Sequence, residues 1–103
     1  MATMAAHLLT LQHFADKVNQ AFTVTLGDAT VQLTLVRADA LPDRGVPYLT
    51  RPPFSLLFDG PAGQSLPQRT HTLAHPVLGE RAIFLVPLGP NPDGTHRYQA
   101  VFN

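Results

Sequence analysis

Apolar and polar residues alternate with a period of two over much of the chain, a pattern typical of β-strands with one buried face. The alternation runs through residues 22–26 and 31–35, which flank the turn residues Gly27 and Asp28 and are predicted to form a hairpin. It returns at residues 54–59. Three further strands are predicted from apolar patterning and from the Gly and Pro residues between them: 70–75, 82–86 and 97–103.

Residues 82–86 differ from the other predicted strands because they are apolar at every position. This pattern is typical of a strand buried on both sides. Together with the apolar faces of the other predicted elements, this strand predicts which residues form the core. The residues expected to be largely buried are Phe14, Val18, Leu33, Leu35, Phe54, Leu56, Phe58, Phe84, Val86 and Phe102.

A single helix is predicted over Leu11–Gln20, a stretch without Gly or Pro, with Thr10 as its N-cap. Its apolar residues recur at helical spacing, so the helix is expected to be amphipathic and to cover an end or a face of a sheet. One helix followed by strands without helix–strand alternation argues against a parallel sheet. The predicted fold is mainly β (α+β), with an N-terminal amphipathic helix packed on a small antiparallel barrel or roll of about six strands.

The 103 residues fit a single domain, 1–103. Residues 1–9 are expected to be flexible, and the Pro-rich stretch 41–53 is predicted to be a loop longer than a typical connection. The first basic residue is Lys17, so the start lacks the positive region of a secretory signal, and no apolar run approaches the ~20 residues of a membrane span. A cytoplasmic location is expected, with export as part of an assembly as the alternative.

The charge composition narrows the classes of partner. Seven Lys and Arg balance seven Asp and Glu, so the formal net charge is zero. The chain therefore has neither the basic footprint of a nucleic-acid-binding protein nor a polybasic membrane patch. It also has no Cys, which excludes disulfides, thiolate metal ligands and cysteine nucleophiles. We expect no nucleic acid, membrane or cofactor among its partners.

Histidine is the richest source of candidate chemistry, and His71 and His75 lie four residues apart. On a helix this spacing would bring both imidazoles to one metal. The segment reads as a strand, where four residues span about 13 Å, so no metal site is expected. Instead, His75 precedes Pro76 and is predicted to make a local hydrogen bond that fixes the turn completed by Gly79.

The sequence does not indicate a catalytic site. Most carboxylates lie in turns or next to Gly or Pro, where Asp favours local backbone bonding. The two serines are Ser55, which lacks the flanking glycines of a nucleophile elbow, and Ser65, which lies in a predicted loop. No catalytic residue is assigned.

Several turn and core motifs in the second half of the chain occur in a fixed order. They are Pro53-Phe54-Ser55-Leu56-Leu57-Phe58 with Gly60-Pro61, Leu66-Pro67-Gln68, Leu73-Ala74-His75-Pro76 with Leu78-Gly79, Ile83-Phe84-Leu85-Val86-Pro87-Leu88-Gly89, and Tyr98-Gln99-Ala100-Val101-Phe102-Asn103. With Leu11-Gln12-His13-Phe14 and Phe22, they resemble a family of small uncharacterised bacterial proteins classed as a domain of unknown function. Its genes are often found beside tail-collar and microcystin-dependent-type proteins, relatives of phage tail fibres. The resemblance implies a setting in such assemblies and carries over no catalytic residue.

Three functions are therefore considered. The first is a non-enzymatic, self-associating structural or assembly module of a phage-tail-like or surface-fibre system, with itself and a tail-fibre or collar-type protein as partners. Its candidate interface is Arg97, Tyr98 and Gln99, with Tyr98 as anchor. A six-stranded barrel can leave an open edge, here the last strand or its neighbour, and open edges pair with other chains. The second is a small ligand-binding β-barrel. The third is a small hydrolase or metal enzyme that uses His71 or His75.

Overall fold

The computed structural model describes residues 9–42 and 52–102. The predicted flexible start and the predicted Pro-rich loop lie largely outside these ranges. The described residues form one short helix, α1, and six strands. Their bounds are α1 Leu11–Ala15, β1 Ala21–Leu26, β2 Ala29–Ala40, β3 Phe54–Gly60, β4 Arg69–His75, β5 Gly79–Pro90 and β6 His96–Phe102.

The six strands form a closed barrel in the order β1-β2-β3-β6-β5-β4, and every neighbouring pair is antiparallel. The short contact between β1 and β4, in which Thr23 pairs with Ala74 and Val24 with Leu73, completes the ring. The prediction of a mainly β fold with a six-stranded antiparallel barrel is confirmed.

The two longest strands let six strands close the ring. The first half of β2 pairs with β1 and its second half with β3, and β5 divides in the same way between β4 and β6. The register shifts between Leu35 and Arg37 in β2 and between Pro87 and Gly89 in β5. Such bulges bend a strand and increase its twist, which a small barrel requires.

The barrel interior is filled by large side chains. Six predicted core residues are completely buried: Phe14, Leu33, Leu35, Phe54, Leu56 and Phe58. Val18 and Phe102 are partly buried and pack against this core. Other strand residues complete the interior: Phe22, Val24, Val31, Leu73, Ile83, Leu85, Tyr98 and Ala100.

The prediction for β5 is wrong. Phe84 is 51% exposed and Val86 is half-buried, whereas Ile83 and Leu85 are the buried residues of this strand. In a closed barrel only alternate residues of a strand point inward, so a strand that is apolar at every position must leave half its side chains outside. Pairing with β4 fixes which half, since Ile83 lies opposite the buried His71.

The predicted helix is too long, because α1 ends at Ala15 instead of Gln20. Asn19 has a left-handed backbone, with φ of 75°, and its N–H donates to the carbonyl of Leu35 in β2 at 2.6 Å. The chain is therefore held against the sheet where a helix would have continued. Phe14 is the one buried residue of this five-residue helix and Leu11 packs partly buried against the core, so an amphipathic helix over residues 11–20 is not confirmed.

Candidate functional site

One end of the barrel is covered by residues before and within α1, and we call it the α1 end. The Phe14 ring lies 5.9–6.3 Å from the rings of Phe22, Phe54 and Phe102, measured between centroids. The Phe54 and Phe102 rings stack in parallel at 4.6 Å. Leu9 adds a further buried side chain. This end is closed mainly by apolar packing.

The opposite end is covered by residues 61–68, between β3 and β4, and we call it the loop end. Leu66 is buried there, and its N–H donates to the Tyr98 hydroxyl at 2.9 Å. The same hydroxyl lies 3.4 Å from the Gln64 carbonyl, and His71 Nε2 lies 2.8 Å from the Pro67 carbonyl. Side chains inside the barrel thus hold this loop by hydrogen bonds to its backbone.

Gly60 makes the close packing at the loop end possible. A Cβ atom at this position would lie 2.7 Å from Leu33 Cδ2 and 3.2 Å from Tyr98 Cε2. Both neighbours are completely buried, so they have little room to move. The last residue of β3 must therefore be Gly for the Tyr98 ring to reach residues 61–68.

His75 connects two segments at the α1 end. Its Nδ1 accepts hydrogen bonds from the backbone N–H of Val77 at 3.1 Å and of Leu78 at 3.4 Å, in the turn between β4 and β5. Its Nε2 lies 2.6 Å from Gln20 Oε1, just before β1. Directly after this turn, Gly79, the first residue of β5, has a left-handed backbone, with φ of 72°. The three predicted turn residues thus lie at the end of β4 (His75), in the turn (Pro76) and at the start of β5 (Gly79).

The two buried histidines have different hydrogen-bond partners. His71 binds the backbone of the loop end, whereas His75 binds Gln20 and the β4–β5 turn. Among residues 9–42 and 52–102, no group of three or more His, Cys, Asp or Glu side chains is arranged to hold a metal ion. The alternation of His71, Leu73 and His75 in one strand is a signal that sequence reasoning could have used to place both imidazoles inside.

Asp93 and Asp16 bind partners within two residues of them in the chain. Asp93 accepts hydrogen bonds from the N–H and hydroxyl of Thr95, and these bonds lower the pKa of its carboxyl below the usual value. Asp16 pairs with Lys17, whose hydrogen bond likewise lowers the Asp16 pKa. These contacts stabilise turns and segment ends, in agreement with the local roles expected for Asp.

The outer surface of β3, β6 and β5 carries three of the four exposed large hydrophobic side chains among the described residues, and we call it the outer face. Register places its residues in rows across the strands. Leu57, Gln99 and Val86 form the central row. Val101 and Phe84 lie two residues away on one side of that row, and the bulge residue Leu88 lies on the other side. Phe84, Leu88 and Val101 are 51%, 52% and 49% exposed.

One ion pair borders the outer face. Arg97 on β6 lies opposite Asp59 on β3 and donates to both carboxylate oxygens, at 2.8 and 3.1 Å. The hydrogen bonds from Arg97 hold the pKa of the Asp59 carboxyl below its usual value, although partial burial works against them. Because the two charges neutralise each other, this pair adds no net charge to the border of the outer face.

The reasoning behind the predicted interface is wrong for β6. This strand pairs with β3 on one side and β5 on the other, so it is not an open edge. Tyr98 points inward, is completely buried and binds the loop end. Arg97 and Gln99 do lie on the outer face, because residues on either side of an inward residue point outward in a strand.

A small cavity of about 240 Å³ lies outside the barrel interior, beside α1. The residues that line it are Thr10, Leu11, Gln12, Ala40, Pro52 and Pro53.

The fold defines a small closed antiparallel β-barrel with a filled interior and both ends covered. The chain belongs to the family named Domain of unknown function (DUF6916), whose characteristic pattern matches residues 9–102. No curated protein and no solved structure matches the chain. Among the described residues, none of the helices has the length and apolar character needed to span a membrane.

Proposed function

We propose that this protein is a non-enzymatic assembly module that associates with copies of itself through the outer face. The observation that carries the proposal is the exposure of three large apolar side chains, Phe84, Leu88 and Val101, on the same three-stranded surface. Contiguous exposed apolar surface marks interaction sites in soluble proteins. A phage-tail-like or surface-fibre setting, with a tail-fibre or collar-type protein as a further partner, follows from the family resemblance.

The filled interior favours an assembly role over a ligand-binding barrel. Four completely buried aromatic residues, Phe22, Phe54, Phe58 and Tyr98, belong to the barrel strands. Small barrels are filled by side chains in this way, whereas ligand-binding barrels enclose a cavity. The surface that remains for recognition is therefore the outside of the barrel.

Charge supports a second copy of this chain as the partner. The formal net charge is zero, so copies do not repel one another at long range. Asp59 and Arg97 neutralise each other at the border of the outer face, so this pair adds no net charge when the face is buried. The depletion of unpaired charge is typical of the centre of a protein interface.

The dimensions of the outer face predict weak association. β3 and β6 each have seven residues, which gives a length of roughly 23 Å at about 3.3 Å per residue. Three strands at about 4.8 Å spacing give a width of roughly 14 Å. This flat area, roughly 320 Å², is well below the ~800 Å² that each partner buries in a standard interface. We expect a concentration-dependent equilibrium rather than a permanent oligomer.

Sedimentation velocity over micromolar to near-millimolar concentrations tests the proposal. The parent should form species larger than the 11.2 kDa chain. Phe84→Glu should weaken this association at least about tenfold, which corresponds to ~1.4 kcal/mol. Val77→Glu is the matched control, because Val77 is 75% exposed in the β4–β5 turn and lies outside the outer face. A parent that stays monomeric at every concentration, or two variants with equal effects, would overturn the proposal.

A further inference from the structure

The hydrogen bonds of His75 fix which of its ring nitrogens carries the proton. A backbone N–H can only donate, so Nδ1, which faces the N–H groups of Val77 and Leu78, must present its lone pair. The ring proton is therefore on Nε2, which donates to Gln20 Oε1 at 2.6 Å. The ring also packs against Phe22, with 4.8 Å between centroids. Every polar contact of this imidazole suits its neutral form.

His71 provides a comparison within the same strand. Its Nε2 lies 2.8 Å from the Pro67 carbonyl, which can only accept, so this nitrogen is a donor. A protonated imidazole donates from both nitrogens, so the bond to Pro67 exists in either charge state. The two histidines are similarly buried, at 3% and 6% exposed, but only His75 makes bonds that a second ring proton would break.

The charged groups near His75 come from the segment after α1 and from β5. Lys17 and Asp16 lie on the first of these. On β5, Arg81 Nε donates to the Leu78 carbonyl in the same turn, and Glu80 is exposed opposite Ala74. Burial lowers the pKa of the His75 imidazole below its usual value, Lys17 lowers it further, and Asp16 partly opposes them.

We propose that His75 is an acid-sensitive contact that ties the β4–β5 turn to the segment before β1 and releases the turn when Nδ1 gains a proton. The added N–H would point at two backbone donors, and both hydrogen bonds would be lost. The turn carries Leu78, which is part of the core cluster. Acid would therefore loosen the α1 end of the barrel first, while the His71 contact at the loop end persists.

The direction of the pH effect follows from linkage. The native pKa of His75 is lowered, so on acidification the unfolded chain takes up this proton first. The contact contributes stability that is fully present above the ordinary histidine pKa of about 6.5 and is lost as the pH falls through that value towards the lowered native pKa.

A histidine-detected NMR titration of the parent protein is the first test. At neutral pH the His75 ring should be the tautomer with its proton on Nε2, and its Nδ1 should titrate below the ordinary value of about 6.5. The amide signals of Val77 and Leu78 should move with the same midpoint. A proton on Nδ1 at neutral pH, or a His75 midpoint at or above the ordinary value, would overturn the proposal.

The second test compares a matched pair of variants with the parent. For each protein, the change in the free energy of unfolding between neutral and mildly acidic pH is measured. Asn has an oxygen that can accept from the turn and does not titrate in this range, so His75→Asn should remove most of the acid-induced loss. His71→Gln keeps an N–H donor at the position of Nε2 for the Pro67 carbonyl and should retain the parent's loss. Equal pH dependence in parent and His75→Asn would overturn the proposal, and the NMR titration decides the matter if either variant fails to fold.

Discussion

The two ends of the barrel are closed by different physical means. At the α1 end, the Phe14 ring packs on three other phenylalanine rings, and His75 adds hydrogen bonds at the margin. At the loop end, Tyr98 and His71 reach out from the interior and bind the backbone of residues 61–68. Apolar packing is insensitive to direction and pH, whereas hydrogen bonds require particular donors and acceptors. The two ends should therefore respond differently to the same kind of change.

The largest effect is expected from Phe14→Ala at the α1 end. Phe14 is completely buried, and its removal leaves a cavity among rings that cannot all move to fill it. We expect a loss of about 3–5 kcal/mol in the free energy of unfolding, measured by urea denaturation. A loss below about 1 kcal/mol would mean that the barrel does not depend on this closure.

A smaller effect is expected from Tyr98→Phe at the loop end. The ring keeps its packing, but the buried N–H of Leu66 loses the hydroxyl that accepts its hydrogen bond at 2.9 Å. An unsatisfied buried amide costs about 1–3 kcal/mol, which denaturation of the variant and the parent would show. The exchange rate of the Leu66 amide with solvent should rise more than that of Leu56. Unchanged stability and exchange would show that the loop end is held by packing alone.

Lowering the pH should change hydrogen exchange differently at the two ends, without any substitution. As the pH falls below the ordinary histidine pKa of about 6.5, the amides of Val77 and Leu78 should lose protection from hydrogen exchange, after correction for the intrinsic rates. The Leu66 amide, whose acceptor is a hydroxyl, should keep its protection through the same range. If the amides at both ends lost protection with the same pH midpoint, the two ends would not differ in their response to acid.

The smallest effect is expected at Asn19, where the chain leaves the α1 end. Its φ of 75° is a conformation that Asn tolerates better than most residues and that Gly adopts freely. Asn19→Ala should cost about 1 kcal/mol, and Asn19→Gly should change the free energy of unfolding by less than that. Thermal melts of both variants would show the order, and an Ala variant as stable as the Gly variant would contradict it.

Prediction from the sequence worked best where polar residues marked one face of a strand. In residues 22–26 and 31–35, Thr and Gln on alternate positions showed which residues point inward, and the structure agrees. The prediction failed at Phe84, because a strand without polar residues does not show which of its side chains point inward. It also placed Tyr98 at an interface, although the apolar alternation with Ala100 pointed to the inner face that both residues occupy.

The sequence by itself determined the strands, most turns and much of the core, because these depend on residues close together in the chain. Only the tertiary structure decided the length of α1, the phase of β5 and the closure of the barrel through β1 and β4. It also decided the roles of His71, His75 and Tyr98, whose imidazoles and hydroxyl find partners that the strand pattern does not specify. These features depend on which distant strand lies opposite, and pairing between distant segments leaves no periodic signal in either one.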